Sequence, residues 1–230
     1  MVSDLKFAVK ETAQYLFMAL KALRFWRRES PVLSIEQIVN YVETRSKYVS
    51  QTTLYGYVKT RAGTRYVSLY EDPLFTKSVN IAKWEIYLVC LSDMATWATA
   101  YLGRRTDARP SELEALACHI VDSVVLAETI PEERPQGFGD FRDSYAKRAQ
   151  SIDWEKIDLS EAAFEESLSA LVEWAPIADE LKLFDVEIVK SSMRFKWKSV
   201  RDQLTELLDA EAVLADWRSS NGAAPETEAG

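Results

Sequence analysis

The chain has 230 residues, 47% of them hydrophobic and 11% aromatic. This is enough for one buried core, or for two small subdomains that share a core, and it excludes wholesale disorder. Its seven glycines and seven prolines are too few for the many tight turns of a β-sandwich or β-barrel. The composition therefore predicts an all-α fold, a bundle of six or seven helices.

Charge divides the chain into two halves of opposite sign. Residues 1–109 carry 16 Lys+Arg and 10 Asp+Glu, a net charge of +6, whereas residues 110–230 carry 12 and 26, a net charge of −14. One interpretation is that the halves attract each other, within one chain or between subunits. The other is that the basic half binds an anionic partner while the acidic half repels non-specific ones.

The first predicted helix covers residues 4–28. Its polar side chains form a narrow basic stripe at helical spacing, and almost all other positions are apolar or small. The stripe consists of Lys6, Lys10, Gln14, Lys21, Arg24 and Arg28. Such a helix either packs inside its own protein or lies on an anionic membrane surface with its cations among the headgroups.

The basic segment, which we define as residues 44–70, follows the start of a helix that Ser34 and Gln37 cap in a capping box. The segment holds five Lys or Arg and five Tyr and contains no acidic residue, although the protein as a whole is acidic. Residues 62–64 predict a turn, and the alternation of residues 65–70 predicts a loop or an irregular edge.

This segment is the predicted partner-binding surface, because arginine and tyrosine are enriched where protein interfaces gain most of their binding energy. The candidate residues are Arg45, Lys47, Tyr55, Tyr57, Lys59, Arg61, Arg65 and Tyr66. Two hypotheses stay open. The face binds an acidic protein partner, or it is the docking face for acidic helices of the same protein, within the chain or in an oligomer.

A competing hypothesis takes residues 34–61 as a helix-turn-helix that binds DNA. The turn would lie around Ser46, and the polar residues 50–55 would begin a recognition helix that faces base edges and phosphates. The connection is longer than the usual tight turn, and Gly56 lies inside the proposed recognition helix. Nucleic acid is therefore the less favoured partner.

A long apolar helix, the candidate for the centre of the core, is predicted from about Thr76 to Leu102. Lys83, Glu85 and Asp93 interrupt its apolar stretch, so no transmembrane segment is predicted. The two carboxylates must be paired where they are buried, because an isolated buried charge is costly.

The acidic half predicts four more helices. One starts at Pro110 with a capping box between Ser111 and Glu114; the others cover residues 140–150, 160–183 with a kink or break at Pro176, and 185–218. In the last helix a 3-4-3-4-3 spacing is typical of a coiled-coil seam, in an intramolecular hairpin or a dimer. The seam consists of Trp197, Val200, Leu204, Leu207, Glu211 and Leu214.

Residues 130–139, which hold two prolines and two glycines, predict a boundary in the chain. We expect a basic lobe of residues 1–129 and an acidic lobe of residues 140–218 that pack as one compact unit. Residues 219–230 are small, polar and acidic, and predict a disordered tail.

Motifs for chemistry are lacking in the sequence. His119 is the only histidine, and neither a phosphate-binding glycine loop nor a nucleophile elbow is present. We therefore predict no catalytic residues, no metal ligands and no cofactor. An enzyme working through acids, tyrosines and arginines alone is the less favoured hypothesis.

The lack of a predicted membrane span and of a signal-peptide region predicts a cytoplasmic location. Cys90 and Cys118 lie in apolar helical patterns, where a free cysteine acts as a small buried hydrophobe, and residues 1–10 do not form the apolar region of a signal peptide. The sequence thus predicts a cytoplasmic, non-enzymatic interaction or adaptor protein.

Overall fold

The computed structural model describes residues 30–221, and helices account for most of them. The α-helices are α1 (Ile35–Ala62), α2 (Tyr66–Leu69), α3 (Pro73–Gly103), α4 (Pro110–Ala127), α5 (Gly139–Ser151), α6 (Glu165–Trp174), α7 (Asp179–Leu207) and α8 (Ala210–Asn221). Single 3₁₀ turns cover Gly63–Arg65 and Glu161–Phe164. Over these residues there is no β-strand, and the predicted all-α helical bundle is confirmed.

Helix α3 forms the centre of the bundle, as predicted. It begins at Pro73, where the Asp72 carboxylate accepts a hydrogen bond from the backbone N–H of Leu74 at 2.8 Å. Its second half is buried on nearly every side, and α1, α4, α5 and α6 all pack against it. A helix that is apolar around its circumference gains free energy only when neighbours enclose it, which α3 achieves here.

Both carboxylates on α3 are paired, as predicted. Arg134, in the connection before α5, donates to Glu85 at 2.7 Å. Asp93 is fully buried, lies 3.3 Å from the guanidinium of Arg148 on α5 and accepts a hydrogen bond from the backbone N–H of Ser167 at 2.9 Å. These contacts tie the connection before α5, α5 itself and α6 to the central helix.

The predicted continuous helix over residues 185–218 is wrong, because the chain entering α1 interrupts it. The backbone N–H of Val32 donates to the carbonyl of Leu207 at 2.8 Å, and the N–H of Asp209 donates to the carbonyl of Val32 at 3.0 Å. This extended pairing at Leu208 ends α7 and starts α8. The carbonyl of Leu207 and the N–H of Asp209 lie at helix ends, where no partner is available within the helix, and Val32, a residue distant in sequence, binds both.

The predicted coiled-coil seam faces the protein's own core. Trp197, Val200 and Leu204 are fully buried, and the indole N–H of Trp197 donates to the Ser167 hydroxyl at 3.1 Å. Glu211, the acidic break in the pattern, is exposed on α8. Of the two interpretations left open, packing within the chain is the one that the described residues show.

Helix starts and breaks follow the sequence with small differences. Ser34 accepts from the N–H of Gln37 at 3.3 Å, but the Gln37 side chain accepts from the N–H of Leu33 rather than of Ser34. The capping box of α4 was predicted between Ser111 and Glu114. Because the helix begins at Pro110, it is instead the Glu112 carboxylate that accepts a hydrogen bond, from the backbone N–H of Arg109. The chain is non-helical at Pro176, which divides the predicted helix over residues 160–183 as expected. The predicted start of a separate helix at residue 185 is wrong, because α7 runs without a break from Asp179 to Leu207.

The predicted helix over residues 4–28 lies outside the described residues. The disordered tail was predicted over residues 219–230, but residues 219–221 are helical in α8, and the rest of the predicted tail lies outside the described residues. Between residues 30 and 221, no helix has the length and hydropathy needed to cross a membrane.

Burial of Asp93 makes the stability of the bundle depend on pH. Desolvation raises the pKa of this carboxyl from 3.8 to about 6, against the opposing effect of Arg148. The pKa of Asp93 is higher in the folded than in the unfolded protein, so the protonated carboxyl stabilises the fold. This contribution is complete at pH values below the unfolded pKa and is lost as pH rises through the folded pKa.

We predict that the free energy of unfolding of the wild type, taken relative to the Asp93→Asn variant, falls by about 2 kcal/mol between about pH 4.5 and about pH 7.5. Urea unfolding of both proteins at the two pH values measures it, and carboxylates common to both cancel in the difference. An unchanged difference would contradict the prediction.

Candidate partner-binding surface

The basic segment is mainly helical, contrary to part of the sequence prediction. Helix α1 runs without interruption through Ser46, whose buried hydroxyl donates to the carbonyl of Cys90 on α3 at 3.3 Å. The predicted turn there is wrong, and residues 34–61 contain one helix rather than a helix-turn-helix. The hydroxyls of Thr52 and Thr53 bond to carbonyls four residues earlier, each at 2.7 Å, so polar side chains are accommodated within the helix.

The corner between α1 and α3 is also more helical than predicted. Gly63 has φ of +57°, a conformation that favours glycine, and its N–H donates to the carbonyl of Lys59 as α1 ends. The turn predicted at residues 62–64 is thus confirmed. Residues 65–70 do not form the predicted loop or irregular edge, because α2 gives them one helical turn.

Arg45 and Lys47 are held by groups of the same protein. Arg45 donates to the Gln203 side chain of α7 at 3.0 Å, and its guanidinium lies 5.0 Å from the centre of the Tyr41 ring. The ammonium of Lys47 lies 2.6 Å from both the Glu43 and the Glu128 carboxylates. Burial alone would lower the pKa of Lys47, but these two carboxylates outweigh it and raise that pKa.

Arg61 and Tyr57 share one carboxylate of α7. The guanidinium of Arg61 forms a bidentate ion pair with Asp185 and also donates to the carbonyl of Leu181 at 3.3 Å. Tyr57 is buried close to the same carboxylate; burial first, and Asp185 second, raise the pKa of Tyr57 to about 12. This part of the basic segment therefore docks onto the acidic half of its own chain.

Tyrosines at the corner form an aromatic cluster. The hydroxyls of Tyr66 and Tyr70 lie 3.4 Å apart with their rings edge to face, and the Tyr70 ring meets that of Phe75 at 5.5 Å between centroids. Tyr55 is half-buried, and burial and the nearby Tyr66 raise its pKa. Tyr55 and Tyr66, the two predicted site residues in this group, are half-buried, so they contribute to packing as well as to the surface.

Two of the predicted cations remain exposed. Lys59 and Arg65 are on the surface and make no ion pair with any residue between 30 and 221. Val67 and Leu74 are exposed large apolar side chains in the same stretch, which leads the chain from α1 into α3. We call Lys59, Arg65, Val67 and Leu74 the corner surface.

Sequence reasoning missed a second surface, on the outside of α7. Leu181, Phe184, Ile188 and Phe195 are exposed, and we call them the outer stripe. Their separations of three, four and seven residues were visible in the sequence. The signal was hidden because the same helix carries a second apolar face, which fills the core.

The isolated histidine has surroundings that support a structural role. The Nε2 atom of His119 lies 3.3 Å from the Ser123 hydroxyl, and the ring packs against Trp217. Asp122, three residues further along the chain, binds Arg142 at 2.6 Å and not the histidine. In the part of the chain that the structure describes, no group of three His, Cys, Asp or Glu side chains could hold a metal ion.

Comparison with protein-family models, with curated proteins and with solved structures finds no match for this chain.

The division of the basic segment predicts unequal lysine reactivity. Lys59 should react with an acylating reagent several-fold faster than Lys47, whose ammonium is held by two carboxylates. Exposed Lys77 on α3 is the internal reference. Peptide mass spectrometry over a time course measures the rates.

In the Glu128→Gln variant, Lys47 loses one of its two carboxylates, and its reaction rate should rise towards that of Lys59. Equal rates for Lys47 and Lys59 in the wild type would show that the ion pairs of Lys47 do not protect it in solution.

Proposed function

We propose that this protein is a non-enzymatic helical interaction or adaptor protein that binds an acidic protein partner at the corner surface. The observation that carries the proposal is the state of the five cations of the basic segment. Arg45, Lys47 and Arg61 are held within the chain, whereas Lys59 and Arg65 are exposed without a carboxylate among the described residues.

The distinction between held and exposed cations separates two roles. An arginine bound bidentately to a carboxylate of its own fold, as Arg61 is to Asp185, contributes to packing between helices and offers less to a partner. An exposed cation retains its full charge towards solvent and can steer an oppositely charged partner. The partner-binding role therefore narrows to Lys59 and Arg65.

Apolar groups at the corner give the proposed contact a source of affinity. Exposed Val67 and Leu74 lie in the same stretch of chain as the two cations, and interfaces combine an apolar centre with a charged rim. A partner segment with carboxylates beside apolar side chains fits both features. Two acidic residues lie in the same stretch: the Asp72 carboxylate already caps α3, and Glu71 is exposed.

We place the protein in the cytoplasm as part of this proposal. Both cysteines are free thiols, one buried and one half-buried, a condition typical of proteins from reducing compartments.

Charge reversal at the corner tests the proposal. We expect the Lys59→Glu/Arg65→Glu variant to lose a partner that the wild-type protein captures from extract of the source cell. The purified partner should bind the variant with a Kd larger by about one to two orders of magnitude, because two attractions become repulsions. Calorimetry at two salt concentrations measures it, and wild-type binding should weaken as salt rises.

Lys147→Glu is the matched control, since Lys147 is an exposed lysine of α5 away from the corner. It should leave partner capture unchanged. Capture of the same proteins by wild type and double variant would overturn the proposal. A duplex DNA mobility shift abolished by the double variant would favour nucleic acid as the partner instead.

A further inference from the structure

Helix α7 has two apolar faces on opposite sides. At 100° per residue, the buried residues Val189, Met193, Trp197, Val200 and Leu204 fall in one arc that faces the core. The outer stripe falls in an arc of about 60° centred roughly opposite to it. Phe184, Ile188 and Phe195 are 81%, 72% and 75% exposed.

The outer stripe repeats with the spacing of a helix-helix contact. Leu181, Phe184, Ile188, Ser191 and Phe195 are separated by three, four, three and four residues, and a single serine interrupts the apolar series. This spacing keeps one edge of a helix facing a second helix over two heptads. It presents an apolar edge about 21 Å long.

The exposed apolar area is large for a free surface. If a fully exposed side chain of this size presents about 200 Å², the stripe presents about 500 Å² on one protein. That value lies at the upper end of the largest apolar patches on ordinary monomers. Two such stripes, with their charged edges, approach the roughly 1,200 Å² at which stable interfaces begin.

Charges along one edge of the stripe change sign from one end to the other. Glu180, Glu187 and Arg194 follow each other at intervals of seven residues, so they lie along the same edge. Arg194 is fixed there by Glu165 of α6, whose carboxylate lies 3.2 Å from its guanidinium, and the carboxylate of Glu187 on its own helix lies 4.0 Å away. The edge is acidic near the start of α7 and basic further along.

We propose that the outer stripe binds the outer stripe of a second copy of this chain, with the two α7 helices antiparallel. A two-fold interface requires a self-complementary surface, and an edge that is acidic at one end and basic at the other is complementary to itself when reversed. Glu187 then faces Arg194 of the second copy. A parallel pair would instead place Glu180 near the acidic Asp185 of the second copy.

One register of the antiparallel pair accommodates the bulky groups. Phe184 lies opposite Phe195 of the second copy, and Ile188 lies opposite Ser191, so each large side chain has room. Leu181 lies opposite the alkyl stem of Lys198 of the second copy. Two aromatic pairs thus flank the two-fold axis.

Sedimentation equilibrium of the full chain over the micromolar range tests the proposal. We expect a concentration-dependent dimer for the wild type. Phe184→Glu and Phe195→Glu should each raise the dimer dissociation constant about a hundredfold, because each would bury a carboxylate opposite an aromatic ring. Since both side chains are mostly exposed in the single chain, the variants should fold, with the same thermal midpoint as the wild type at concentrations where the wild type is monomeric.

Leu126→Glu is the matched control, because Leu126 is also a mostly exposed apolar residue but lies on α4 and belongs to neither surface. It should leave the dimer intact. A wild-type protein that remains monomeric would overturn the proposal, and the stripe would then be covered by another segment of the chain or by a different partner. A dimer unaffected by Phe184→Glu and Phe195→Glu would overturn it too.

Disulfide trapping tests the orientation. Leu181→Cys combined with Lys198→Cys, in a Cys118→Ser background, should give a covalent dimer on mild oxidation. Leu181→Cys alone should give none, because the two copies of residue 181 lie about 25 Å apart along an antiparallel pair. Trapping by the single variant would show a parallel pair and overturn the proposed arrangement.

This inference uses residues separate from the corner surface. Dimerisation and partner capture can therefore succeed or fail independently of each other.

Discussion

The burial of α3 is the constraint on which the rest of the structure depends. Its second half has almost no polar stripe, so its apolar surface leaves water only when helices surround it on several sides. Helices from both halves of the chain do so. Buried Asp93 adds a demand for partners, which Arg148 and the backbone of Ser167 satisfy from α5 and α6. Apolar burial drives the enclosure, and these polar contacts select which helices provide it.

The net charges of the two halves do not predict which ion pairs form between them. Two ion pairs join a cation of the basic half to a carboxylate of the acidic half, as expected: Lys47 with Glu128, and Arg61 with Asp185. Two others join a cation of the acidic half to a carboxylate of α3, in the basic half: Arg134 with Glu85, and Arg148 with Asp93. Net charge describes the far field of each half, whereas ion pairs in the fold depend on individual neighbours. The remaining exposed cations at the corner are those that no described carboxylate reaches.

Helix α7 shows how one element can serve both the core and a surface. Its inner face is fixed in the core by Trp197 and its neighbours, and its first turns are attached to α1 through Asp185. The outer face is therefore held at a defined place without contributing to the bundle. A rigid helix presents a repeated apolar edge with little entropy to lose on binding, which suits it to pairing with another helix.

The sequence by itself determined the elements that rest on local patterns. Helical periodicity identified α3, the cap at Ser34 and the break at Pro176, because these depend on residues within a turn or two of each other. Only the tertiary structure decided three other features: the continuity of α1 through Ser46, the division of the last helix by Val32, and the pairing of Arg61 with Asp185. The last pair is separated by 124 residues, and no local pattern reports which distant groups meet. The outer stripe went unnoticed because the predicted helix boundary at residues 183–185 fell inside α7, and only packing decides which apolar face of a helix the core takes.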